Sequence, residues 1–145
     1  MGLGRTEQQI TWSAANSLVL SSTAMSSPSD EFTIDSTVVA ISMSARATNG
    51  GTPASGDVVN IYIKWSNGDL DAGGGANDYD SDEHAMWLMQ LDTYPTNTPG
   101  ENPAAKTFPL DPNMGKAFKV IIQDPGWASG RNITFAARCT LRTAT

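Results

Sequence analysis

Three consecutive pieces of the chain decide the fold: Asp57–Ser66 (DVVNIYIKWS), Asn67–His84 (NGDLDAGGGANDYDSDEH) and Ala85–Thr93 (AMWLMQLDT). The first alternates, with Val59, Ile61, Ile63 and Trp65 on one face and Asn60, Tyr62 and Lys64 on the other. A period of two over this length is the pattern of a strand with one face buried. The third puts Trp87, Met89 and Leu91 opposite Leu88 and Gln90, so both tryptophans are expected in the core. The middle piece carries Asp69, Asp71, Asp78, Asp80, Asp82 and Glu83 and no Lys or Arg. Two buried strands therefore hold a long acidic loop between them.

The same period of two recurs outward from this stretch. Thr37–Arg46 sets Val39, Ile41, Met43 and Ala45 on one side against Val38, Ala40, Ser42, Ser44 and Arg46 on the other. Ala117–Gln123 turns Phe118, Val120 and Ile122 inward. Asn132–Arg142 alternates Ile133, Phe135, Ala137, Cys139 and Leu141 with Thr134, Ala136, Arg138, Thr140 and Arg142. Shorter β-prone runs lie at Gln9–Ser13, Ser17–Ser21 and Glu31–Asp35, and Pro109 marks Lys106–Leu110 as an edge strand. Thr48–Gly56, Tyr94–Ala105, Pro112–Gly115 and Asp124–Arg131 carry the Gly, Pro, Asn and Asp of turns and extended loops. No amphipathic helix of useful length appears. Eight or nine short strands with turns every ten residues or so predict an all-β, two-sheet β-sandwich of jelly-roll-like type. With 145 residues, a single sandwich domain over 9–145 is expected, preceded by a flexible N-terminal arm over 1–8.

The chain has 15 acidic and 9 basic residues, a net charge of −6. The six acidic groups of the 67–84 loop equal that excess. From Lys106 to Arg142 the balance reverses, with six basic residues against Asp111 and Asp124. An acidic middle and a basic last third can pair between neighbouring copies, or form two separate solvated faces. An acidic chain lacks the basic footprint of general nucleic-acid binding. No apolar span is long enough for a membrane helix, and MGLGRTEQQ lacks the apolar run of a secretion signal. Cys139, the single cysteine, falls on an apolar strand face and is expected to be a buried, inert thiol.

Candidate chemistry concentrates in the acidic loop. Asp78, Asp80 and Asp82 have the alternate spacing of calcium-loop carboxylates, but Glu83 stands where that loop needs Gly and Met89 where it needs a bidentate Glu. A solvated loop competes with a metal site there, and no cofactor is assigned. His84, the only histidine, has acidic neighbours but no nucleophile turn and no second metal-ligating His. No catalytic residue is assigned, and an enzyme is not expected. Asp69, Asp71, Tyr79, Tyr94 and Trp127 sit in loops and are the candidate contact residues. The three aromatics among them offer stacking faces for a sugar.

SDEFTID (Ser29–Asp35), NGGTPASGDVVNIYIKW (Asn49–Trp65), NDYDSDEHAMWLMQLDT (Asn77–Thr93) and GRNITFAARCTLR (Gly130–Arg142) together resemble small virion proteins of tailed bacteriophages, of the capsid decoration (cement) type. The resemblance spans roughly residues 9 to 142. Its specific parts are the TPASGD turn into a strand and the acidic lead-in to the next strand. These are structural landmarks, not catalytic signatures. The resemblance implies a virion structural protein on the capsid surface, assembled in the host bacterial cytoplasm. Its partner would be the major capsid protein, and it would act as a homo-oligomer such as a trimer, without nucleic-acid or membrane contacts. Many weak contacts repeated over a lattice suffice for such a role. A neck, tail or fibre component and a carbohydrate-binding module for host adhesion are the alternatives.

Overall fold

The computed structural model describes residues 2–51, 54–71, 73–93 and 104–144. Among them are nine strands: β1 (Leu3–Gln9), β2 (Leu18–Leu20), β3 (Phe32–Thr33), β4 (Val38–Asn49), β5 (Val58–Ser66), β6 (Met86–Asp92), β7 (Ala104–Leu110), β8 (Ala117–Gln123) and β9 (Ile133–Ala144). One sheet has the order β1-β9-β4-β7, with β2 also on β9; the other runs β3-β8-β5-β6. Every pairing is antiparallel. No helix among the described residues is long and apolar enough to cross a membrane.

The pairings follow one rule. β5 pairs with β6, β4 with β7, β3 with β8 and β2 with β9, and successive pairs alternate between the sheets. The chain is thus one long hairpin rolled into a sandwich, which is the jelly roll. Its apex is β5–β6, so residues 67–84 form the apical loop of the whole hairpin.

Inward-facing residues of both sheets meet as one core. Phe118 of β8 is its hub. Phe32 stacks on it at 4.8 Å between ring centroids, and Trp65 leans on it at 5.2 Å. Trp12 meets Phe135 edge-on at 5.8 Å. Cys139 is fully buried, and desolvation pushes its thiol up to about 12, so it stays protonated and unreactive as expected.

Two β-bulges move hydrophobic side chains that simple alternation puts in the core. In β6 the register passes from Ile61↔Met89 to Tyr62↔Trp87, leaving Leu88 as the extra residue. The bulge reverses the phase of the strand. Leu88 packs against the core, and Trp87, expected inside, is 57 % exposed on the outer face. In β4 the register passes from Val38↔Thr143 to Ala40↔Arg142, and Val39, also expected inside, is exposed while Val38 packs inward.

The expected loose arm over 1–8 is also corrected. Leu3–Gln9 is a strand, paired residue by residue with β9 from Leu3↔Ala144 to Gln9↔Arg138. The reason lies in β9, which is twelve residues long. β2 covers only Ile133–Phe135, so the rest of that edge needs backbone partners, and the N-terminal segment supplies them. Between β1 and β2 the chain makes a tight turn in which Ser13 and Ala14 both take positive φ, 47° and 66°. The Asp30 carboxylate accepts the N–H groups of both residues and the Thr11 hydroxyl.

Candidate functional site

The apical loop is laid back over the outer face of the four-stranded sheet. Lys64 on β5 and Lys119 on β8 are direct cross-strand partners, and like charges placed so repel. The loop supplies what this pair lacks. The Tyr79 ring lies 5.7 Å from Lys64 Nζ and 4.8 Å from Lys119 Nζ, a cation–π contact to each. Lys64, only 8 % exposed, donates to Asp82 Oδ1 at 2.5 Å and to the Asp80 carbonyl at 2.8 Å. Tyr79 donates its hydroxyl to Glu31 at 2.9 Å, and Asn77 Nδ2 donates to the same carboxylate at 3.0 Å. Burial raises the Tyr79 pKa, and the Glu31 hydrogen bond and charge raise it further, so the phenol stays protonated.

The aspartates of the loop divide into two groups. The structure does not bring Asp78, Asp80 and Asp82 together. Asp82 pairs with Lys64, and Asp80 pairs with His84 Nδ1 at 3.0 Å on the surface. The His84 hydrogen bond, with the Ser81 N–H, lowers the Asp80 pKa. Asp78 instead joins Asp69 and Asp71, with one carboxylate oxygen of each within 4.8 Å of the others. These groups are spent partly on the loop. Asp69 accepts the N–H groups of Asp71 and Gly75, at 2.8 and 2.7 Å, and Asp78 accepts that of Leu70 at 2.7 Å. The Gly75 and Asp71 bonds lower the Asp69 pKa. At this tip Leu70 is 80 % exposed. The physical reason for the correction is that alternate spacing converges carboxylates only in a loop wrapped around an ion, and this loop is extended over a sheet.

The other contact candidates fall elsewhere. Trp127 is half-buried and braces the β8–β9 turn by donating Nε1–H to Asn132 Oδ1 at 3.1 Å. Tyr94 lies outside the described residues. Among the described residues the exposed aromatic is Trp87, directly opposite Tyr62, with its Nε1 3.4 Å from Asn60 Oδ1.

Two arrangements were missed in the sequence. The first is a buried ion triad. Arg131 Nη1 meets Asp57 Oδ1 at 2.6 Å, and Nη2 meets Asp124 Oδ1 at 3.0 Å. It joins the start of β5 to the β8–β9 turn, which no spacing rule connects. The second is the outer face of the five-stranded sheet. Arg5 lies opposite Arg142, Arg138 opposite Ser44, and Arg46 opposite Ala136. Two adjoining depressions run along this face, sharing Ser44 and Thr107 as floor. Glu7 pairs with Arg5 at 2.8 Å and Arg138 at 3.4 Å. Arg46 and Arg142 are exposed and make no ion pair among the described residues. The outward phase of Arg46, Arg138 and Arg142 was legible; that β4 and β9 are neighbours was not.

No protein-family model matches this chain, and no curated protein is significantly similar to it.

Proposed function

We propose that the protein is a virion structural protein of a tailed bacteriophage, a decoration protein that binds the outer surface of the head through the major capsid protein. The observation that carries the reading is the edge of the four-stranded sheet. There, terminal strand β6 presents Met86 and Trp87, 53 % and 57 % exposed. Tryptophan and methionine are enriched where proteins meet, and a rigid indole on a sheet edge is a typical anchor. Jelly rolls recur in viral capsids and in lectins, although a fold by itself does not carry a function. Asp82 of the apical loop and the Arg131 triad are committed to holding the sandwich together, which leaves its faces and edges for partners.

Binding to purified, undecorated tailed-phage heads tests this. Saturable binding at a fixed number of copies per shell, weakened in Trp87→Ala without loss of folding, is the expected result. A second reading, a carbohydrate-binding module, is favoured by Trp87 standing beside Tyr62 and Asn60, an aromatic flanked by polar groups. No head binding, with retention on a glycan array that Trp87→Ala abolishes, would replace the first reading by the second.

A further inference from the structure

The arginine-lined face and the tip of the apical loop have complementary chemistry. Along the face, Arg5, Arg46, Arg138 and Arg142 stand against the single carboxylate of Glu7, above a floor of small side chains. The facing pair Arg5 and Arg142 is a repulsive arrangement unless an anion relieves it. Glu7 answers Arg5 and Arg138, which leaves Arg46 and Arg142 without a counter-charge among the described residues. The loop tip is the opposite in charge. Asp69 and Asp71 flank Leu70 there, with Asp78 beside them. Leu70 is 80 % exposed with its apolar side chain directed at water. Lys64 neutralises Asp82, but Asp71 and Asp78 have no cation within ion-pair distance among the described residues.

We propose that this face is the docking site for the apical loop of a second copy of the chain, with Leu70 seated on the small-residue floor and Asp71 and Asp78 set against the arginines that line it. The two surfaces belong to different sheets, so one molecule carries both. The contact is head-to-tail, and a head-to-tail contact closes into a ring such as a trimer or propagates as a chain. Charge pairs at such a rim set orientation and association rate, and the apolar contact holds the seated loop. The proposal is independent of the capsid reading, and its test contains no capsid.

Sedimentation velocity of the full chain over a range of concentrations tests it. The wild-type protein should associate, and the association should weaken on the order of ten-fold or more between low and high salt. Two variants isolate the surfaces: Arg46→Gln with Arg142→Gln removes the dock, and Leu70→Ser with Asp71→Asn removes the plug. All four positions are exposed, so each variant should keep the wild-type circular dichroism and melting midpoint. Each alone should be a monomer. Mixed, they should form a 1:1 dimer that grows no further, because one intact plug meets one intact dock. A wild-type protein monomeric at every concentration overturns the proposal, as does association that both variants retain or a mixture that stays monomeric. A monomer retained by a sulfated polysaccharide column through Arg46 and Arg142 assigns the face to a polyanion instead.

Discussion

Replacing Arg131 with Met should be the most damaging single change of a polar residue in this molecule. Asp124 is 1 % exposed, and Asp57 and Arg131 are each 8 % exposed. Their remaining hydrogen bonds are local: Asp57 Oδ2 accepts Ala54 N–H at 2.5 Å and Asp124 Oδ1 accepts Gly126 N–H at 3.2 Å. The triad already carries one negative charge in excess, two carboxylates against one guanidinium. Its net contribution to stability is small, because desolvation opposes attraction and Arg131 Nε is buried without a partner among the described residues. Removing the cation is a different matter, since it strands two buried carboxylates at once. Breaking a buried pair costs about 3–5 kcal/mol, and about 4 kcal/mol is expected here. For 145 residues, an unfolding entropy of about 2.1 cal/mol/K per residue gives about 0.3 kcal/mol/K, so the melting midpoint should fall by about 13 °C. Urea unfolding should show the same loss as a lower midpoint at unchanged slope. Adding Asp57→Asn and Asp124→Asn to the Arg131→Met chain should recover much of the loss, because neutral amides remove the uncompensated charge. A single-variant loss below about 1 kcal/mol, or no recovery in the triple variant, would refute the reasoning.

Three further outcomes are expected. Ala14→Gly should stabilise the protein by about 1 kcal/mol in urea unfolding, since Ala14 holds a positive φ that costs a residue with a Cβ and suits glycine; a loss of stability would show that the turn is not strained. Gly115→Ala should cost about 2 kcal/mol, because a Cβ there would lie 2.7 Å from the Ser66 carbonyl and 3.2 Å from the Trp65 ring, and an unchanged midpoint would mean that the β7–β8 turn can give way. Hydrogen bonds hold the carboxyls of Asp30, Asp35, Asp69 and Asp80 below the ordinary 3.8. The unfolded chain therefore binds more protons near and below that value, so stability is fully present above it and is lost as pH falls through the lowered folded values. Urea midpoints that decline from about pH 5 toward pH 2 would agree, and a flat profile would not.

How much of this was legible depends on whether a feature is local. The inward faces of β5, β8 and β9 follow from their alternation, and those residues are buried except Trp65, which is partly buried against the core. β1 was not legible, because LGRTEQQ has no apolar face; a backbone ladder on β9 holds it, and ladders leave no mark in composition. Trp87 and Val39 were misplaced for a related reason. A single extra residue reverses every side chain beyond it, and neither bulge is announced by glycine or proline. The acidic loop was visible as charge, but its use was not. Lys64 and Lys119 lie 55 positions apart, and only the antiparallel register puts them side by side beneath Tyr79.

Taken by itself, the sequence determined the class of fold, the two-sheet core and the long acidic excursion between two of its strands. Each of these follows from hydrophobic period and turn chemistry within a few residues. Tertiary structure alone decided that Asp57–Thr93 is the apex of a rolled hairpin, that its acidic loop lies over two lysines, that Arg131 joins two buried aspartates, and that four arginines share one face. Those facts depend on which strands are neighbours and in what register, and neighbourhood is set by the closing of the whole sandwich rather than by any one segment.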